Sequence, residues 1–508
     1  MRIQYIISLV FLLFLSTFFC WGRSFLNVNE SNFLITPNSK YVIKSTIDLH
    51  GRTINAPKGC LLVFQGGGKI VNGTIVGKET KLKSLKNKCL GINIKGTWNV
   101  NEIHDSFFDF ELLTDNQVLD NITCLQSNDK KNKVLLNRPV YSITLTPKHK
   151  SALLLSSNTI LLCNSTFQLK GNNLSSYYIL GVVKKENVTI KGGRIIGDVG
   201  DHHYVEGSTS EWGFGLMISN SNNVRIEDIH ISKCTGDGIY IGGGSGTELE
   251  DYSKASKNIY VKNTVCDDNR RQGISITYAD GIVLDDCTFS NTGKTEFTSP
   301  GCGLDIEPNA GQGVRNVRIK RCRFLHYDRI MVVSVGGYKT EDHKCNVENI
   351  YFEDCETTGK MSIRTGSVSL RNCSLKTLEI YLGKMPKEKV LVERCHILDG
   401  AGITIRTVGD VSGEKFRPVY TFRDCTIGMN QERTNALFST INYNGKENVE
   451  FNIENCSVVL PKGKKLFSIV PSKSKMSFQF RNCIFHTKNS TFDLNNKFFS
   501  NCQLIPND

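Results

Sequence analysis

The sequence predicts an all-β chain built as a parallel β-helix, one long solenoid with three short strands per coil. Two observations predict it. The first is a phrase that recurs eight times: IVLDDCTF (282–289), VRIKRCRF (317–324), IYFEDCET (350–357), VSLRNCSL (368–375), VLVERCHI (390–397), YTFRDCTI (420–427), FNIENCSV (451–458) and FQFRNCIF (478–485). Each is apolar at every second residue, the period of a strand, and the polar pair before the cysteine marks a bend. The second is the spacing, with cysteines at 287, 322, 355, 373, 395, 425, 456 and 483, so intervals of 18 to 35 residues. Repeats of that size with no helical pattern stack coil on coil, which turns equivalent residues into ladders. Eight of the 18 cysteines then form one interior column of small apolar side chains, not a disulfide framework.

The chain has 508 residues, with 62 Lys and Arg against 49 Asp and Glu. Apolar residues are distributed along the whole length, which excludes a disordered chain, and no run is long enough for a polytopic membrane protein. Residues 1–22, with Arg2 ahead of an apolar run and Cys20-Trp21-Gly22 after it, read as a signal peptide, so an exported protein is expected: periplasmic, at the cell surface or secreted. Cys20 as a lipid-attachment site is the alternative to simple cleavage. Residues 23–135 read as a β-rich capping region, in which CLLVFQGGGKIVNGTIVG (60–77) already carries the coil pattern and residues 97–135 form an irregular or partly helical insertion. The glycines of Gln65 to Gly73 serve tight corners, since the Lys-Ser/Thr pair and the following helix of a phosphate loop are missing. Residues 136–508 are the main β-helix. The excess of positive charge suits an anionic polysaccharide or simple solubility, and no basic run or zinc-finger spacing points to nucleic acid.

Candidate chemistry lies on the strand that opens each coil. GFGLMIS (213–219), GDGIYIG (236–242), RQGISIT (271–277) and CGLDIEP (302–308) align, which turns Met217, Tyr240, Ser275 and Asp305 outward, with Ser219, Gly242, Thr277 and Glu307 in the next column. Asp237, Asp305 and Glu307 are the catalytic candidates, because two carboxyl groups flanking a glycosidic oxygen supply the acid and the base or nucleophile of most glycosidases. Arg270 and Arg271 are candidate clamps for a uronate or sulfate. His202, His203, Glu211, Trp212, Tyr240 and Asp268 complete the expected binding set, the two aromatics as sugar platforms or corner fillers. Bland readings stand beside these: Asp305 and Glu307 as part of a salt-bridged ladder, and Asp237 as a turn residue. Adjacent histidines seldom hold one ion, so no metal site is expected.

The coil phrase over 180–490, with GDGIYIGG, NRRQGISI and GLDIEPN in that order, resembles the right-handed β-helices of the pectin-lyase-like superfamily, and FQGGGKIVNGTIVG is similar to exported polysaccharide-degrading proteins of Bacteroides-type bacteria. The resemblance implies an all-β, right-handed parallel β-helix, a single-stranded solenoid behind an N-terminal capping region. Polygalacturonase-like hydrolases carry Asn-Thr-Asp, Asp-Asp and Gly-His-Gly on successive coils. Here Trp212-Gly213-Phe214 takes the first place, only Asp237 keeps the second, and Gln272 stands where the histidine would be. The expected activity is hydrolysis of an acidic or complex polysaccharide by paired carboxyl groups, without a cofactor. A uronate lyase, for which calcium becomes possible, and a non-catalytic glycan-binding or adhesion β-helix are the alternatives.

Overall fold

A computed structural model describes residues 25–27, 33–83, 87–244, 251–325, 331–336, 345–364, 367–382, 389–407, 418–430, 434–441, 449–468, 476–487, 494–495 and 497–506. The expected leader at 1–22 lies outside the described residues. The chain forms two compact units, Met1–Leu135 and Leu136–Asp508.

In the first unit, Lys40–Ile43, Leu61–Phe64, Lys69–Lys83 and Leu90–Asn99 pair in parallel. The helix Asp115–Leu125 starts at Thr114, whose hydroxyl accepts from Gln117 N while the Gln117 side chain accepts from Thr114 N. Asn121 on its buried face takes Ile94 N at 2.7 Å and gives to Ile92 O at 2.8 Å.

The second unit is a right-handed parallel β-helix. One sheet stacks Thr159–Cys163, Glu186–Lys191, Asn222–Glu227, Ser256–Lys262, Ala279–Asp285 and their successors to Met476–Arg481. Two further strands per coil follow, for example His230–Ser232 and Asp237–Gly242, both in the other long sheet. In Glu356–Ile363, Ser374–Leu382 and His396–Thr407 these two strands run together, with register shifts at Thr357/Lys360 and Leu375/Thr377, and they separate again at Thr426–Gly428 and Ala436–Ile441.

The bend in the recurring phrase has a backbone cause. Its second polar residue is left-handed in every coil: Asp286, Arg321, Asp354, Asn372, Arg394, Asp424, Asn455 and Asn482 have φ between 51° and 56°. Asn and Asp visit this region most readily, which explains their share of the position. The cysteine then closes the bend. Each thiol of the eight donates to the carbonyl two residues earlier, at 3.1–3.4 Å. All eight are buried and unoxidised, so the column is the small, weakly donating interior stack that the spacing predicts.

Asparagines stack along the same corner, Asn501 to Asn482, Asn482 to Asn455 and Asn455 to Asp424, at 2.9–3.2 Å. Replacing Asn455 by Val breaks this ladder and puts a β-branched residue at φ 55°. We expect a cost of about 1–2 kcal/mol, seen as a lower urea midpoint, with Asn455→Gly costing less. On the sheet surface the first residue of the polar pair alternates in charge, Arg371, Glu393, Arg423, Glu454 and Arg481, with contacts of 3.0–3.9 Å between coils. Exposed pairs of this kind add only a few tenths of a kcal/mol each, and fix register more than they stabilise.

Candidate functional site

Five strands of the main helix pair in parallel to carry the site: Trp212–Ser219, Asp237–Gly242, Gln272–Ile276, Cys302–Ile306 and Met331–Val335. Their register puts Met217, Tyr240, Ser275, Asp305 and Ser334 on one ladder, in the order the sequence alignment anticipates. Glycines set the strand entrances. A Cβ at Gly238 would meet Cys266 Sγ at 3.1 Å, and one at Gly273 would meet Phe289 at 2.9 Å, so both positions face the interior. The residues before them, Asp237 and Gln272, turn the other way and reach the Ser275 and Asp305 side chains.

An acidic cluster results. Asp237 accepts from the Ser275 hydroxyl and, at 3.5 Å, from Arg271 Nη1. Asp305, on the next coil beyond Ser275, accepts from Gln272 Nε2 at 2.5 Å through Oδ2, while its Oδ1 and Gln272 Oε1 have no hydrogen-bond partner among the described residues. Both carboxyl groups are 1% exposed. Arg271 is the centre of the cluster, 3.5 Å from Glu211, 3.5 Å from Asp237 and 4.0 Å from Glu307.

The two buried aspartates titrate apart. Burial pushes Asp237 up to about 6, against the Arg271 charge and the Ser275 hydroxyl. Burial, and after it the negative charge of Glu307, push Asp305 up to about 8, against Ser334, Arg271 and Arg364. Burial resists the charge on Arg271, but Asp237, Asp305, Glu211 and Glu307 outweigh it and raise its pKa. Burial and Glu307 thus favour the proton on Asp305, while two coils away Arg271 and Ser275 favour the charge on Asp237, so different surroundings set one residue type toward acid and toward base.

The other expected site residues divide. Glu211 and Glu307 join the cluster through Arg271. Tyr240 is half-buried, stacked on Phe214 at 4.7 Å with its hydroxyl 3.0 Å from Thr277 Oγ1, and Trp212 is 55% exposed. His203 is exposed. Three residues are engaged within the protein. His202 is buried, with Nδ1 2.8 Å from Asp198, which also receives the Tyr177 hydroxyl and the Asn172 amide. Asp268 accepts from Thr295 N and Oγ1 and so holds the loop after residue 290. Arg270 donates to Thr209 O at 2.9 Å and lies 4.4 Å over the Tyr204 ring, which ties down the loop before Trp212. The segment around 268–270 thus pins two long loops, and a free clamp at Arg270 does not fit this geometry.

Sequence reasoning missed a second charged cluster on the same ladder. Beyond Ser334 the register runs through Ser362, Glu379 and Thr404. Glu379 is buried and receives Lys360 Nζ at 2.8 Å, Ser362 Oγ at 3.1 Å and Arg406 Nη2 at 3.2 Å. Burial works against its ionisation, but Lys360 and Arg406 prevail and its pKa is lowered. The signal was present in MSIR (361–364), LEIY (378–381) and ITIR (403–406), which continue the alignment of LDIE (304–307).

Among known proteins, the uncharacterised YclG of Bacillus subtilis is 35% identical over 176 residues, which cover 33% of this chain and 30% of that protein. The SPbeta prophage-derived uncharacterised protein YorA, also of Bacillus subtilis, is 29% identical over 239 residues, 43% of this chain and 40% of that protein. The chain thus spans well under half the length of these relatives. Among solved structures, the A-module of the mannuronan C-5 epimerase AlgE6 from Azotobacter vinelandii matches with a TM-score of 0.48 at 12% identity, over 78% of this chain and 96% of that one. The tailspike gp49 of the Acinetobacter baumannii bacteriophage Fri1, a capsular polysaccharide depolymerase, matches with a TM-score of 0.42 at 15% identity, over 74% of this chain and 63% of that one. The right-handed beta helix region family matches residues 31–295 of the sequence, more than half of the chain. With its stacked parallel coils and the bend repeated in each, the chain belongs to that family.

Proposed function

We propose that this chain is an exported carbohydrate-active enzyme that cleaves glycosidic bonds of an acidic or complex polysaccharide by acid–base hydrolysis. The observation that carries this reading is the pair of buried carboxyl groups with separated pKa values, Asp305 at about 8 and Asp237 at about 6, on one face of the helix. Asp305 gives its proton to the leaving glycosidic oxygen. Asp237, kept ionised by Arg271 and Ser275, acts as the base or nucleophile at the sugar carbon. Glu307 stays beside Asp305 and keeps the proton there by repulsion. The exposed ring of Trp212 and the half-buried Tyr240 offer flat apolar surfaces for sugar faces on the same strands. Export is supported by the leader pattern in residues 1–22.

The test is turnover of a glycan panel, read as new reducing ends, by the wild-type protein and by Asp237→Asn. We expect the variant to keep its fold and lose about 10²–10⁴-fold in rate. Unchanged turnover in the variant would remove Asp237 from the mechanism. Products that absorb in the ultraviolet through an unsaturated sugar would replace hydrolysis by elimination.

A further inference from the structure

The residues expected to grip an anionic sugar, Arg270 and Arg271, are held by carbonyls, an aromatic ring and carboxylates of the protein itself. Cations of another kind lie further along the same face. Lys360 and Arg406 both pair with the one acid Glu379, and the Arg364 guanidinium lies 5.6 Å from the Tyr381 ring beside them.

We propose that Lys360, Arg364 and Arg406, arranged around Glu379 and Tyr381, form a subsite for an anionic substituent, a carboxylate or a sulfate ester, on the glycan chain that is cleaved at Asp305. The proposal rests on the hydrolase reading and adds to it the class of substrate. Three observations support it. First, Glu379 and Asp305 share one ladder, Asp305, Ser334, Ser362 and Glu379. Three steps along the axis separate Glu379 from Asp305 by about 14 Å, a distance that a glycan lying along the helix crosses within a few sugar units.

Second, the cations are layered over the acid, on its solvent side. The Glu379 side chain is 2% exposed, whereas those of Lys360 and Arg406 are 19% and 29% exposed. The carboxylate lies beneath and orients the cations. Lysine and arginine together bring about eight N–H donors, more than Glu379 takes through Lys360 Nζ and Arg406 Nε and Nη2. Third, the guanidinium groups of Arg364 and Arg406 lie 5.6 and 5.7 Å from the Tyr381 ring. Cation–π contact keeps such planar groups in place for two-point recognition of carboxylate or sulfate. The charge of Arg364 also acts on Asp305, which links the two clusters electrostatically.

The experiment is calorimetric titration in an Asp305→Asn background, where the ligand is not cleaved, with an oligogalacturonate, a sulfated oligosaccharide and an uncharged oligoglucan of equal length. We expect at least one anionic ligand to bind in preference to the uncharged one, and which of the two does so identifies carboxylate or sulfate. Adding Arg406→Gln should weaken the anionic ligand by about tenfold and leave the uncharged one unchanged. Adding Glu379→Gln, which keeps the shape and removes the internal competitor, should tighten the anionic ligand. Equal affinity for charged and uncharged ligands, or indifference to Arg406→Gln, overturns the subsite. Unfolding of both variants at room temperature also overturns it, since the cluster is then a structural ion pair. Binding and turnover are read separately: persistent hydrolysis by Asp305→Asn counts against the hydrolase reading, and a lost charge preference counts against the subsite.

Discussion

Asp305→Asn is expected to abolish hydrolysis and, in the same protein, to make the fold more stable. Asparagine has no proton to give to a leaving oxygen, so a loss of about 10²–10⁴-fold in rate follows if Asp305 is the acid. The stability gain comes from the raised pKa. In the folded chain Asp305 titrates at about 8, while an unfolded aspartate titrates near its model value of 3.8. Between those values the folded state holds a proton that the unfolded state has lost, so the wild-type protein loses stability as pH rises from about 4 to about 8. The substituted amide cannot ionise, still accepts from Gln272, and lacks this slope. At pH 7 the variant gains at most about 4 kcal/mol, and at pH 4 it gains almost nothing. Urea unfolding at pH 4, 6 and 8 measures the difference; identical pH dependence in the two proteins would show that Asp305 is not held protonated.

Arg271→Gln should have the opposite effect on stability. Arg271 is the shared counter-ion of Glu211, Asp237 and Glu307, and its side chain is only 20% exposed. Without it, three carboxylates face one another with their main source of compensation removed, at a cost of about 3 kcal/mol. Asp237 also loses the first of the influences that hold it down against burial, so its pKa rises above about 6. A raised carboxyl pKa withdraws stability as pH rises, so the damage should grow from pH 5 to pH 8. The acidic limb of the rate profile, which reports ionisation of Asp237, should move to higher pH. Arg271→Lys restores charge without the fork and is expected to recover stability better than rate. A variant as stable as wild type at pH 8 would contradict the central place given to Arg271.

The fold was legible because each coil must solve the same local problem. A strand has to bend through a left-handed residue and bury its next side chain, and the pairs DD, KR, ED, RN, ER, RD and EN ahead of the cysteines record that solution. The outward ladder through Tyr240, Ser275 and Asp305 followed from the shared glycine of successive coils and the period of two. Burial did not follow. Asp237 and Asp305 lie outward on their strands, yet side chains from neighbouring coils cover them, and that covering sets their pKa values. Nor does a linear pattern show that His202, Asp268 and Arg270 are taken up by contacts within the protein, because a contact such as Arg270 to Thr209 spans 61 residues. The cluster at Glu379 escaped notice for another reason. The cysteine intervals there fall to 18 and 22 residues, and the two later strands of the coil merge with a shift in register.

Central to this account is a buried carboxylic acid, Asp305, kept protonated at neutral pH on the outward ladder of a β-helix. The most direct test is the carboxyl stretch of isotope-labelled aspartate, followed by infrared difference spectroscopy against Asp305→Asn across pH 4–10. A protonated carboxyl band that persists at pH 7, disappears with a midpoint near 8 and is missing in the variant is the predicted result. An Asp305 already ionised at pH 5 would contradict the account.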